Sequence, residues 1–315
     1  MAAAPEAASP ATGRREPNHA LRIAIIWVVL ALAADLLIYL VWGPHLPPGT
    51  MSSSAASQQF DLKVISVMAA PVMLFVLTYF AYALVVWRHR DGDDEDGPAL
   101  FGHTGIQAGW IIGTAVIVLS LFVFGTVELI KPNGAGAGEG PAPIWKPGGT
   151  PLQVQVIGQQ WKFTYRYPQF GGFETTALLL PVSQWVEFHV TSIDVIHSFW
   201  AYQLGVKADA NPGVDNVAYT EPQHLGLVTV RCAELCGLWH GAMFDYGHVV
   251  SPAAFRSWAA STESRQRSNG VLAALPPYAT TYDPTVIPKL NRVYVKLGVT
   301  GAGGGYYPPQ DPVQP

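Results

Sequence analysis

The chain contains very little cysteine: two of its 315 residues. A count this low excludes the disulfide-dense scaffolds typical of small secreted proteins, although one local bridge stays open. Both cysteines lie in one short stretch, CAELCGLWHGAM, beside a histidine and a methionine. This concentration of sulfur and imidazole makes the stretch, Cys232 to Met243, the first candidate for a functional site.

Charged residues are also few. They make up 13% of the chain, compared with about 25% in typical soluble domains. The net charge of -4 shows no basic field, so the composition argues against a nucleic-acid partner. Hydrophobic residues reach 50%, and their distribution is uneven.

Three long apolar segments lie in the first 131 residues. They are Leu21–Trp42, Val64–Trp87 and Gly109–Ile130. Each is about as long as the roughly 20 residues that a helix needs to cross a hydrocarbon core. Runs this long and this poor in charge are rare in soluble proteins, so the sequence predicts transmembrane helices rather than buried core helices.

Basic residues near these segments predict the orientation. Arg14, Arg15 and Arg22 precede the first segment, Arg88 and Arg90 follow the second, and Lys63 and Lys131 lie on the other side. Because lysine and arginine concentrate on the cytoplasmic side, the N-terminus and the 88–106 loop are expected in the cytoplasm. The polar domain after residue 131 is then expected on the outer side of a bacterial-type plasma membrane. The acidic run DGDDED in the 88–106 loop is interpreted as solvated.

The first segment allows a second interpretation. A basic start, an apolar run and the small residues MSSSAAS are also typical of a cleaved signal peptide. The run is long for that role, and Asp35 inside it is unusual under either interpretation. A retained helix is favoured, which gives two or three transmembrane helices.

The rest of the chain predicts a small β-sandwich or barrel. The stretches LQVQVIGQQWKFTYRY, WVEFHVTS, LGLVTVRC and GHVVS are rich in valine, aromatics or alternating residues, with proline and glycine between them. No long helical pattern is expected in this domain, and residues 262–315 are expected to form an extension with little core of its own. The predicted division is 1–20 cytoplasmic segment, 21–43 transmembrane helix or signal, 64–131 helical hairpin, 132–150 Gly/Pro linker, 151–261 outer domain and 262–315 extension.

The outer domain carries a set of soft metal donors. They are His197 in DVIHSFW, then Cys232, Cys236, His240 and Met243. A single-copper electron-transfer site uses two histidines, one cysteine and a weak methionine. A second cysteine would let both sulfurs bridge two copper ions, and each ion would keep one terminal histidine. Met243 would then cap one ion, and a loop carbonyl such as that of Glu234 would cap the other.

Three simpler interpretations compete with a copper site. A disulfide between Cys232 and Cys236 is allowed outside the membrane, but it gives the histidines and Met243 no reason to converge. A structural zinc site is allowed by donor type, and buried thiols can be small hydrophobes. The complete set of five donors favours copper over all three.

At these residues the chain resembles subunit II of the haem–copper oxygen reductases, the cytochrome c oxidase type with a binuclear copper A centre. The resemblance is carried by DVIHSFWAYQLGVKADANPG, CAELCGLWHGAM and GQQW, and it covers roughly residues 60–255. It implies a cupredoxin fold for the outer domain. It also implies that oxygen is reduced in a partner, subunit I, which holds the haem.

The resemblance implies a role for each matching residue. The implied copper ligands are His197, Cys232, Cys236, His240, Met243 and the backbone carbonyl of Glu234. The Glu234 carboxylate would face a magnesium ion shared with subunit I, and Trp161 would receive electrons from cytochrome c, although it is also compatible with a core aromatic of its strand. His189, His224 and His248 lie outside these motifs and are interpreted as surface or turn residues.

The chain departs from the family pattern in several places. Gln107 in QAGW stands where the family usually has a glutamate at the mouth of a proton channel, which puts proton entry by that route in doubt. Lys162 and Arg166 follow Trp161 where the family is usually acidic, so the surface of the donor is expected to differ. An additional N-terminal span precedes the usual pair, and AYQLG replaces a proline-containing version.

The expected function is therefore electron entry into a respiratory terminal oxidase from cytochrome c, with other oxidase subunits and membrane lipid as further partners. The same subunit in a nitric oxide reductase, a membrane-tethered copper-binding or copper-delivery module, and a structural subunit with a disulfide are the alternatives. A quinol oxidase subunit would share the fold but lack the copper ligands.

Overall fold

The computed structural model describes residues 17–88, 102–131, 143 and 145–269. Within these ranges the helices are α1 (His19–Leu37), α2 (Ser53–Val86), α3 (Thr104–Ile130) and α4 (Pro252–Ser268). The strands are β1 (Leu152–Gln159), β2 (Lys162–Tyr167), β3 (Phe173–Thr175), β4 (Leu179–Pro181), β5 (Val186–Ser192), β6 (His197–Ala201), β7 (Val206–Ala210), β8 (Asn216–Thr220), β9 (Gly226–Cys232) and β10 (Phe244–Val250). Arg14, Arg15, Arg90, the acidic run 91–96, most of the predicted linker and residues 270–315 lie outside the described residues.

The helices α1, α2 and α3 are long and apolar enough to cross a membrane, with candidate spans His19–His45, Ser53–Val86 and Thr104–Ile130. Side chains cap two of them: Asn18 accepts a hydrogen bond from the backbone of Leu21 at the start of α1, and His103 accepts one from Ile106 at the start of α3. The described residues of α3 include none that is buried, as expected for a helix surrounded by lipid or by partner subunits.

The chain divides into two compact units, and one boundary between them falls within the sequence of α2, between Leu62 and Lys63. The first unit contains the described residues up to Trp42 and those from Lys63 to the end of α2. The second unit contains residues 43–62, α3 and all the strands. Within the first unit α1 packs on the later part of α2. The Trp27 indole donates to the carbonyl of Pro71 at 2.8 Å and packs edge-on against Phe75.

The second unit contains two five-stranded sheets, in the orders β3-β2-β1-β5-β8 and β4-β10-β9-β6-β7. Most neighbours are antiparallel, whereas β1 pairs with β5, and β10 with β4, in parallel. Their facing sides enclose one core, whose largest buried side chains are Phe163, Tyr165, Tyr167, Phe173, Phe188 and Phe199. The prediction of apolar helices followed by a β-sandwich is confirmed.

The absence of a long helix in the outer domain was a wrong expectation. Helix α4 begins after the N-cap Ser251, and Pro252 occupies its first turn. Its residues Phe255, Ala259 and Thr262 are buried, three positions on one helical face. The described residues beyond 262, up to Asn269, therefore still contact the domain, because the Gln266 side chain accepts from the backbone N–H of Glu174 and donates to its carbonyl.

Candidate metal centre

His197 is the first residue of β6, and its ring is completely buried. The ring lies against Gly158 of β1, where an added Cβ would approach its Cδ2 atom to 3.0 Å. Its Nε2 atom lies 2.9 Å from a carboxylate oxygen of Asp194. Because an ionised carboxylate only accepts, Nε2 carries a proton, and Nδ1 is the ring nitrogen that faces the cysteines.

The two cysteines are held by the loop between β9 and β10. Cys232 is the last residue of β9, and its backbone N–H donates to the carbonyl of Met243 at 3.0 Å, which closes the loop at its base. The next residue, Ala233, donates to the carbonyl of Ser198 at 2.9 Å and ties the loop to β6. A short 3-10 turn at His240–Ala242 then leads into β10.

The donor atoms converge between these segments. The two cysteine Sγ atoms are 3.7 Å apart, well beyond the about 2.05 Å of a disulfide bond, and both cysteines are free. The Nδ1 atom of His197 lies 3.8 Å from Cys232 Sγ, and that of His240 lies 3.6 Å from Cys236 Sγ. Met243 places its Sδ atom 3.8 Å from Cys236 Sγ, so all five predicted donors meet at one place.

The backbone carbonyl of Glu234 lies at the cluster of donor atoms, but its side chain does not. Its carbonyl oxygen lies 3.1 Å from Cys232 Sγ, whereas its side chain is exposed. Among the described residues, the histidine, cysteine and acidic side chains close enough together to share an ion are His197, Cys232 and Cys236. The Glu234 carboxylate is not in that group.

The charges of the site favour a thiolate at one cysteine. Burial disfavours ionisation of Cys232, but hydrogen bonding to His197 and to the loop outweighs it and lowers the pKa of Cys232 to about 6. Burial and the neighbouring Cys232 charge raise the pKa of Cys236. Burial also opposes the charge on Asp194, yet its hydrogen bond with His197 holds the pKa of that carboxyl below its usual value. A thiolate is the form of cysteine that binds metals.

Trp161 lies directly beside the loop. The carbonyl of Cys236 accepts hydrogen bonds from the Trp161 indole at 3.2 Å and from the Gln160 side chain at 2.8 Å. Gly237 has a φ of +112°, and an added Cβ would lie 2.9 Å from the Gln160 amide nitrogen. This position therefore favours glycine, and the loop approaches the half-buried indole closely.

Other predicted residues lie elsewhere. Arg166 is buried and its guanidinium pairs with Glu174 at 2.8 Å, so it does not contribute to a docking surface, while Lys162 is exposed. His224 and His248 are exposed, whereas His189 is half-buried in β5 and contacts Asp215. Gln107 lies in the first turn of α3.

Two positioning residues, Asp194 and Gln160, were not predicted from the sequence; they orient His197 and the metal loop. The signal for Asp194 was a carboxylate three residues before a predicted ligand. Such outer partners commonly fix the orientation of metal-ligating histidines.

Comparisons with known proteins agree on one family. The model of the family described as cytochrome c oxidase subunit II, periplasmic domain, matches residues 173–246. Cytochrome c oxidase subunit 2 of Synechocystis sp. is 27% identical over 292 residues, covering 81% of this chain and 87% of that protein. The corresponding protein of Thermostichus vulcanus is 26% identical over 321 residues, covering 88% and 93%. The crystal structure of the periplasmic domain of a cytochrome oxidase subunit II from Bradyrhizobium japonicum has 31% identity, a TM-score of 0.35, and coverage of 36% of this chain and 94% of that chain.

Proposed function

Because the chain belongs to the cytochrome c oxidase subunit II family, we propose that it is the electron-entry subunit of its terminal oxidase. Its outer domain would take electrons from cytochrome c at a binuclear copper centre and pass them to haem in subunit I, where oxygen is reduced to water. The observation that carries the proposal is the pair of free sulfurs 3.7 Å apart, with a histidine nitrogen beside each.

The donor set fits two copper ions better than it fits zinc. The proposed ligands are His197, Cys232, Cys236, His240, Met243 and the carbonyl of Glu234. Sulfurs at this separation can share an ion at the metal–sulfur distance of about 2.3 Å, and a buried thioether suits copper rather than zinc. Bound copper would supply reversible one-electron chemistry, with the electron shared between two ions.

The protein contributes a dry and oriented site. His197 is fully buried, and Cys236 and Met243 are each 2% exposed, so water is largely excluded from the donors. Asp194 holds the proton on Nε2 of His197 and leaves Nδ1 free to bind a metal. A rigid site limits the rearrangement that accompanies a change of charge.

Electrons would enter through Trp161. Its indole is hydrogen-bonded to the carbonyl of Cys236, so the ring is joined to the metal loop through one hydrogen bond. The exposed Glu234 carboxylate is free to face a magnesium ion that subunit I helps to hold. The three apolar helices would anchor the chain in lipid beside other oxidase subunits, with the metal domain on the outer side.

The test is copper stoichiometry and electron paramagnetic resonance on the purified full chain. We expect two copper ions per chain and a hyperfine pattern from one electron shared equally by two nuclei. Replacing Cys236→Ser should abolish this pattern, because a single remaining thiolate cannot bridge two ions in the same way. His224→Gln, which removes an exposed histidine outside the donor set, is the matched control and should leave it intact.

Other outcomes separate the rival functions. One readily exchanged copper ion with a localised signal would indicate a copper-delivery module, and a chain without metal and with oxidised cysteines would indicate a structural subunit. A normal signal together with nitric oxide reduction by the assembled complex would keep the copper site and change the reaction of the partner.

A further inference from the structure

The first turn of α2 contains small residues that also fit a signal-peptidase site. We call residues 49–58 the clasp. Ser54, Ala55 and Ala56 give the small-x-small pattern that such enzymes cut. Cleavage there would remove α1 together with most of the clasp.

The backbone of the clasp is bonded to the outer domain on both sides of Met51. The Met51 N–H donates to the carbonyl of Gln203 at 2.7 Å, and the Met51 carbonyl accepts from the N–H of Gln223 at 2.6 Å. The Met51 side chain joins the hydrophobic core of the sandwich. One residue of the clasp therefore bridges two loops of the domain and fills part of its core.

Ser52 links the clasp to the same turn and to the start of α2. Its hydroxyl donates to the carbonyl of Leu204 at 2.7 Å and accepts from the N–H of Ala55 at 3.1 Å. Ser52 is 2% exposed, so both bonds lie away from water. Its side chain caps the first turn of α2 while the same hydroxyl holds the domain.

Small side chains are required where the clasp meets Gly205. Gly205 has a φ of +62°, and an added Cβ would lie 2.4 Å from the backbone nitrogen of Ala55. Ala55 is 0% exposed, and its neighbour Ala56 is exposed. Gln58 completes the contact, donating from its side chain to the carbonyl of Gly205 at 2.6 Å.

We infer that the clasp is a permanent part of the mature protein that fixes the outer domain to the beginning of α2, and that its small residues serve close packing rather than processing. A leader that is removed has no need of buried contacts with the mature domain. The residues from Ser53 onward are also helical, whereas proteolysis favours exposed, extended segments. This inference does not depend on the bound metal or on the reaction of the complex.

The first test is the mass of the full chain purified from membranes. We expect the chain to retain α1 and the clasp. A chain that begins near residue 57 would overturn the inference.

The second test compares Ala55→Leu with Ala56→Leu in the full chain. Leucine at 55 must displace the Gly205 turn, so we expect the unfolding midpoint of the outer domain to fall by about 5 °C or more. Leucine at 56 points outward and should leave the midpoint unchanged. It would also block a signal peptidase, so we expect its mass to exceed that of the wild type only by the added side-chain atoms.

A milder variant covers the case in which Ala55→Leu does not accumulate. Ser52→Ala removes the bond to Leu204 and the cap of Ala55, and it should lower the midpoint while Ser53→Ala does so less. Equal unfolding midpoints for the two serine variants, or for the two leucine variants, would contradict the inferred role of the clasp. If the mass of Ala56→Leu exceeded that of the wild type by more than the added side-chain atoms, the wild type would be processed, and this would also contradict the inferred role of the clasp.

Discussion

At the scale of single residues, His189 shows how a strand can carry a charge on a half-buried face. Its Nδ1 atom lies 2.8 Å from Asp215, and its Nε2 atom lies 3.8 Å from Glu187. Burial alone would lower the pKa of His189, but the hydrogen bond and the charge of Asp215, with that of Glu187, raise it above its usual value. The charged imidazolium is therefore more favourable in the folded domain than in the unfolded chain.

This raised pKa predicts a pH dependence of stability. The contribution of His189 is fully present below its unfolded pKa of about 6.5 and is lost as the pH rises through its higher folded pKa. We expect the free energy of unfolding of the wild type to fall relative to that of His189→Asn as the pH is raised from about 5.5 to 8.5. Chemical denaturation of both chains over this range measures the difference.

The matched control is His248→Asn, which changes an exposed histidine on β10. The free energy of unfolding of His248→Asn, relative to that of the wild type, should vary less with pH than the free energy of unfolding of His189→Asn does. Parallel stability curves for the wild type and His189→Asn would contradict the prediction.

The site residues differ in how far the sequence could predict them. Cys232 and His197 were predicted from donor type alone, and the structure brings them together with the other three donors. Asp194 and Gln160 were missed because a carboxylate or an amide has many ordinary surface roles, and only the folded loops bring them to their partners. Arg166 was misjudged for the same reason: its partner Glu174 lies on the next strand, and their pairing appears only in the sheet.

At the scale of elements, α4 extends the core of the sandwich beyond its last strand. Phe255 is 2% exposed, and its ring contacts those of Phe170, Tyr167 and Trp258 at centroid distances of 5.3 to 5.9 Å. The rest of the helix is mostly polar, so its attachment depends mainly on this apolar face, together with the hydrogen bonds of Gln266 to Glu174.

Phe255→Ala should therefore destabilise the outer domain strongly. Removing a buried aromatic ring leaves a cavity and costs about 3–5 kcal/mol. Arg256→Ala changes the neighbouring exposed residue and should stay within about 0.5 kcal/mol of the wild type. Denaturant unfolding of the three proteins measures both values, and similar losses for the two variants would mean that α4 does not contribute through its apolar face.

The elements were predictable where the periodicity was long enough. Four predicted stretches contain five of the strands, namely β1 and β2 in the first stretch and β5, β9 and β10 in the other three, because these stretches are rich in valine, aromatic or alternating residues. The three-residue strands β3 and β4 give too short a pattern to recognise. Helix α4 carried a usable signal, Ser-Pro followed by apolar residues at 255, 258 and 259, but its polar composition resembled an extension. The parallel pairing of β1 with β5 depends on the whole sandwich, so no local pattern predicts it.

At the scale of the whole molecule, composition separates a membrane part from an outer domain, and the charges on that domain would influence how the proposed electron donor approaches it. Lys162 directly follows Trp161 and is exposed, while Arg166 is neutralised by Glu174 inside the sheet. A basic cytochrome c would thus meet a positive charge beside the proposed entry point, and charges at the rim of an interface act mainly on the association rate.

Lys162→Glu is expected to increase the second-order rate constant for electron uptake from a basic cytochrome c roughly three-fold at low ionic strength. The increase should disappear at about 1 M salt, where charges are screened within about 3 Å. Stopped-flow reduction of the assembled oxidase measures it. Lys207→Glu is the matched control, because it makes the same change of net charge at an exposed lysine on the other sheet, in β7. If both variants accelerate the reaction equally, net charge governs the encounter and the position beside Trp161 does not; if only Lys162→Glu does so, electrons enter on the side of the domain where Trp161 lies.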